Sequence, residues 1–160
     1  MEDLGRLIKA HPFFADLAPR HLDLVVGCAA NRRLAAGQML FEEGAPADHF
    51  FLLREGRVAL ELNVPQRGPF VFETIDGDEV LGWSWLLPPY RWHFDARAVT
   101  NLRYFAFDAK CLRGKMEADH ELGYVLMRHF LPVIVDRLQA TRVRMLDLFG
   151  TARDAGPGHV

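Results

Sequence analysis

Gly77-Asp78-Glu79-Val80-Leu81-Gly82-Trp83-Ser84-Trp85-Leu86 strings together a turn, a short apolar step, a second glycine and a run that can coil. Gly82 supplies backbone freedom for a sharp change of direction, and Trp83 to Leu87 can then form one short helical turn. Backbone N–H groups at such a turn suit an anion. The surrounding side chains are of another kind: Trp83, Trp85, Tyr90, Trp92 and Phe94 crowd the stretch, and Arg91 and His93 flank Trp92. On a regular strand neighbouring side chains face opposite ways, which puts Trp92 inside and Arg91 outside. A one-residue shift allowed by Pro88-Pro89 would instead turn Arg91 inward as a cation for the anion site. Ser84 reads as a cap for the turn, or as a hydrogen-bonding group for a ligand.

Outward from this stretch, glycines and prolines recur between short apolar segments. Gly37, Gly44-Ala45-Pro46, Glu55-Gly56, Pro65-Gln66-Arg67-Gly68-Pro69 and Asp76-Gly77 punctuate residues 31–108, the pattern of an all-β barrel or double-sheet jelly roll. Phe50 to Leu53, Val58 to Leu62 and Phe70 to Ile75 are its clearest strands. Before it, residues 1–30 read as a helical lead-in: a helix over Leu4 to Ala10, a break at Pro12, and a second helix from Pro19 to about Cys28. After it, residues 109–150 return to a helical period. Leu131, Ile134, Leu138, Thr141, Met145 and Leu148 alternate steps of three and four and draw a seam for a partner helix, with two helices or a kink expected at Pro132. Residues 151–160 read as a tail.

Several function classes are disfavoured. A net charge of −2, from 19 basic and 21 acidic side chains, gives no broad basic face for nucleic acid. No apolar run is long enough to span a bilayer and no signal segment opens the chain, so a cytoplasmic protein is expected. Cys28 and Cys111 stand far apart and outside any Cys-x-x-Cys, which reads as two buried reduced thiols. Glu117-x-x-His120 has the spacing of a helical metal pair but lacks a second copy, so no metal is expected. No nucleophile–base set, Gly-rich phosphate loop or carboxylate pair stands out, and no catalytic residues are assigned.

The opening stretch resembles the phosphate-binding cassette of cyclic nucleotide-binding domains, the sensor modules of CRP/FNR regulators and of the protein kinase A regulatory subunit. The family pattern runs Gly-Asp-x-Phe-Gly-Glu-x-Ala-Leu. The resemblance extends through Gly37-Gln38-Met39-Leu40-Phe41-Glu42-Glu43-Gly44, Asp48 and Gly56, through Thr100 to Asp108 as the last barrel strand, and to Arg137-Leu138-Gln139-Ala140-Thr141 on the long helix. It implies a jelly-roll barrel of the cyclic nucleotide-binding type with N-terminal helices and a long C-terminal dimerisation helix. Two anchors depart from the pattern: Trp83 stands in place of the ribose-binding Glu, and the phosphate-binding Arg falls on Trp92. Thr141 inherits the role of reaching the adenine. The chain ends shortly after its long helix, so the helix-turn-helix of the DNA-binding relatives is not expected to follow.

The resemblance therefore implies a stand-alone, non-enzymatic sensor, a homodimer through the C-terminal helix, that binds a cyclic nucleotide (cAMP or cGMP) or a related small ligand. Its candidate ligand residues are Gly82, Trp83, Ser84, Trp85, Arg91, Trp92 and Thr141. The alternative is a degenerate, ligand-free jelly roll whose aromatic residues fill the emptied pocket and which serves as an adaptor for a protein partner.

Overall fold

The computed structural model describes residues 3–154, and their side chains as far as Asp147. Helix α1 (Leu4–Ala10) starts where the Asp3 carboxylate accepts from the Gly5 N–H. Pro12 opens a 3-10 turn, Pro12–Phe14, which drops Phe14 into the core. Helix α2 (Pro19–Val26) follows with Pro19 in its first turn, where the absent N–H costs nothing.

Eight strands then form two four-stranded antiparallel sheets: β1 (Ala29–Leu34), β2 (Met39–Phe41), β3 (His49–Glu55), β4 (Arg57–Val64), β5 (Gly68–Asp76), β6 (Val80–Leu81), β7 (Asp95–Ala98) and β8 (Leu102–Asp108). One sheet has the order β1-β8-β3-β6 and the other β2-β7-β4-β5. This is the expected jelly roll. β3 and β8 lie at the centre of their sheet, covered by the barrel interior on one face and by helices on the other. Phe50 to Leu53 and Tyr104 to Phe107 are buried without alternation for that reason. Gly56, at φ 105°, makes the tight link from β3 to β4; a Cβ there would meet the Asn101 carbonyl oxygen at 2.4 Å.

Asp108 closes the barrel and caps helix α3 (Ala109–Ala118), its carboxylate accepting from the Cys111 N–H at 2.8 Å. Asp119 does the same for helix α4 (His120–Asp154), accepting from the Leu122 N–H at 3.2 Å. Leu122, Leu126 and Phe130 of α4 are fully buried against the barrel. Leu131, Val135, Leu138, Met145 and Leu146 remain exposed. Among the described residues no helix is long and apolar enough to cross a membrane.

Two expectations are corrected. The two separate helices considered at Pro132 are one: α4 passes through Pro132, with Phe130 and Arg137 holding the flanking turns to the barrel. Of the tail expected from Thr151, residues 155–160 lie outside the described range, and the Leu148 position of the seam lies outside the described side chains. The two reduced thiols are instead a disulfide, Cys28–Cys111, with Cα atoms 6.0 Å apart. Sequence separation hid this pair: the β1–β8 pairing brings Ala29 opposite Phe107 and so sets the start of β1 beside α3.

The bridge closes a loop of 83 residues, which in the chain-entropy account stabilises the fold by about 4.5 kcal/mol. Guanidinium unfolding with and without reductant should show that loss, and Cys111→Ser should reproduce it without reductant. Equal midpoints would remove the bridge from the stability of the protein.

Candidate functional site

β6 delivers the chain to Gly82, whose φ of 95° turns it into a 3-10 turn at Ser84–Leu86. Gly82 is needed for a second reason. A Cβ there would sit 2.8 Å from the Trp92 ring, so the indole packs directly on the glycine backbone. Trp92 is 5% exposed and stacks on Phe41 at 3.7 Å between centroids, nearly parallel at 10°. The barrel interior beside Gly82 thus holds an indole in an aromatic stack.

Arg91 takes the outward alternative. Its guanidinium donates to the Gly44 carbonyl at 2.8 Å, within a backbone zipper in which Gly44 N–H donates to Trp92 and Trp92 N–H to Ala45. Trp83 stacks on His93 at 4.8 Å, and the Ser84 hydroxyl pairs with His93 Nδ1 at 2.9 Å. The cap reading of Ser84 is therefore corrected: the turn has no side-chain cap, and the hydroxyl is drawn across to the opposite strand segment. Trp85 is fully buried between Phe50 and Phe130, at 5.1 and 5.3 Å. The indole N–H groups of Trp83 and Trp85 are buried and have no hydrogen-bond acceptor.

Thr141 is not brought to this cluster. Its hydroxyl donates to the Arg137 carbonyl one turn back on α4, at 2.8 Å. The residue that reaches from α4 toward the cassette is Arg137, which donates to Glu73 Oε1 at 2.9 Å and to the Val80 carbonyl at 3.2 Å. Val80 lies in the strand that delivers Gly82. α4 and the cassette frame are therefore joined through one buried guanidinium. Arg113 of α3 is a second cation at the cassette, donating to the Trp85 carbonyl at 2.8 Å and lying over the Tyr90 ring at 4.0 Å. Neither was singled out as a site residue from the sequence, where the only signal was Arg137 inside the helix segment that carries the resemblance.

Burial raises the Glu73 carboxyl above its ordinary range against the opposing pull of Arg137, with Glu79 and Asp136 adding to the rise. Burial likewise raises Glu79, opposed by Arg137 and reinforced by Asp76 and Asp136. A groove runs alongside, between His11 to Phe13, Asp78 to Val80 and the Val133–Arg137 stretch of α4.

The sequence profile of the cyclic nucleotide-binding domain matches residues 31–119. Cyclic nucleotide-gated ion channel 18 of Arabidopsis thaliana is 25% identical over 118 residues, covering 67% of this chain and 17% of the channel. The chain thus spans less than a fifth of that relative's length. A candidate cyclic nucleotide-binding protein from Geobacter metallireducens GS-15 superposes with a TM-score of 0.75 at 28% identity, covering 86% of this chain and 99% of that one. The regulatory domain of Toxoplasma gondii PKA, solved with cAMP, shares the fold, with a TM-score of 0.61 at 14% identity, covering 71% of this chain and 46% of that one.

Arg137→Ala leaves the half-buried Glu73 without its cation and should cost about 2 kcal/mol in denaturant unfolding, with faster amide exchange along α4 beyond Pro132. An unchanged exchange pattern would show that the guanidinium does not seat the helix. The raised Glu79 carboxyl contributes stability that is complete below its ordinary value of 4.5 and is lost as pH rises through its folded value. The stability difference between the wild type and Glu79→Gln should therefore move against the wild type across that window.

Proposed function

This chain belongs to the cyclic nucleotide-binding domain family, and we propose that within it the chain is a non-catalytic regulatory domain whose ligand chamber is filled by its own aromatic side chains. It acts by contact, as a homodimer along α4 that engages a protein partner. The observation that carries this reading is the Trp92 indole stacked on Phe41 at 3.7 Å, on a glycine that leaves it no more room. A buried Trp removes about 200 Å² from water, so swinging it out costs about 5 kcal/mol. That would weaken an entering nucleotide by more than three decades in affinity. The open seam of Leu131, Leu138 and Met145 on α4 supports the dimer.

A second reading, a sensor that binds a cyclic nucleotide, is favoured by two observations. The Gly82 turn keeps the backbone frame of an anion site, and the buried indole donors of Trp83 and Trp85 lack acceptors that a ligand could supply. In that case Gly82, Trp83, Ser84, Trp85, Arg91 and Trp92 line the site, and Thr141 meets the base only after α4 shifts.

A thermal-unfolding scan against cAMP, cGMP and AMP separates the two. The filled chamber gives no shift with any of them at millimolar concentration. A ligand present at a hundred times its dissociation constant would add about 2.7 kcal/mol, roughly 5 °C or more for a chain of this size. A shift produced by the cyclic forms alone, and lost in Arg91→Ala, would establish the sensor and overturn the filled chamber. For the dimer, Leu131→Asp with Leu138→Asp should convert a dimeric sedimentation profile to a monomeric one at unchanged secondary structure.

A further inference from the structure

We propose that His21, Asp119 and Glu121 form a binding site for one divalent transition-metal ion of the zinc class. The site lies at the elbow where α2 meets the junction of α3 and α4. One ligand atom from each residue falls within 4.8 Å of the other two, close enough for side-chain rotation to bring all three onto a single ion. An imidazole with two carboxylates is a donor set suited to zinc, cobalt or nickel, leaving further positions to water.

The acidic pair alone would not make a site. What points to a ligand is His21: it is 1% exposed, and its Nε2 has no hydrogen-bond partner. That atom lies 3.8 Å from Asp119 Oδ2, too far for a hydrogen bond. A buried imidazole nitrogen without a partner is costly, and a metal ion in the gap would satisfy it together with the carboxylates.

Asp119 is divided between two tasks. Oδ1 accepts from the Leu122 N–H and starts α4, while Oδ2 faces His21.

Arg20 competes for the same carboxylates. Its guanidinium pairs with Asp119 and reaches Glu121 at 3.2 Å, but its side chain is 58% exposed and free to leave toward solvent. An exposed ion pair of this kind is weak. A bound ion would replace the guanidinium, complete the coordination of His21, and pin α2 to the base of the helix that carries the exposed seam.

The test is calorimetric titration of the metal-free chain with zinc chloride, paired with cobalt(II) to read the visible absorption of a protein-bound ion. Both cysteines are in the disulfide, so thiolate does not compete as a ligand. One equivalent should bind saturably. Glu121→Gln and Asp119→Asn should each weaken it by about tenfold or more, since losing a ligand costs at least as much as losing a residue that merely supports one. Asn keeps the helix cap at 119, and Glu121 is exposed, so both variants retain the fold, which their metal-free melting points check. Arg20→Gln should tighten binding. Absence of saturable binding, or binding that none of the three variants alters, would overturn the site and leave the elbow an ordinary ion pair.

Discussion

The Phe50 ring ties the central strands of the barrel to the elements packed around them. It stacks on Phe107 of the neighbouring strand at 4.3 Å, on Trp85 of the cassette at 5.1 Å, and receives the edge of Phe130 from α4 at 4.9 Å. Phe107 in turn packs on Phe14 from the N-terminal turn at 5.6 Å. Each aromatic pair adds about 1 kcal/mol beyond the area it buries. The larger consequence is geometric: the central strands, the cassette, the long helix and the N-terminal lead-in all converge on one apolar cluster, and none can move far without disturbing the rest.

Polar contacts then decide how α4 lies on that cluster. Past Phe130 the helix has little apolar burial on the barrel, and Arg137 takes over by donating to Glu73 and to the Val80 carbonyl. The guanidinium stands beside Glu73 and Glu79, whose carboxyls are raised above their ordinary range by burial and by the neighbouring Asp136 charge. The helix is therefore fixed by packing in its first half and by electrostatics beyond it. A change in charge at these carboxyls acts on α4 without touching the core.

At the Gly82 turn the backbone and the side chains depend on one another. The positive-φ glycine carries β6 into the short 3-10 turn. The barrel interior beside it holds Trp92, Phe41 and Phe51. A charge in such an apolar interior would need a partner, whereas an indole needs only close packing, and Gly82 provides the space for it.

The order of the elements was legible in the sequence. Turn residues at short intervals mark a barrel, the helical period before and after it marks the flanking helices, and the Gly82 turn marks the cassette, because each of these is a local property of neighbouring residues. Local pattern also left Arg91 with two orientations and Ser84 with two partners. The fold chose between them, pairing 44–47 with 90–92 so that Arg91 faces the Gly44 carbonyl and Trp92 faces Phe41. The Cys28–Cys111 bridge, the Arg137 link to Val80 and the meeting of His21 with Asp119 were invisible in the chain. Each joins residues far apart in sequence, and strand pairing and helix docking alone set which of them become neighbours.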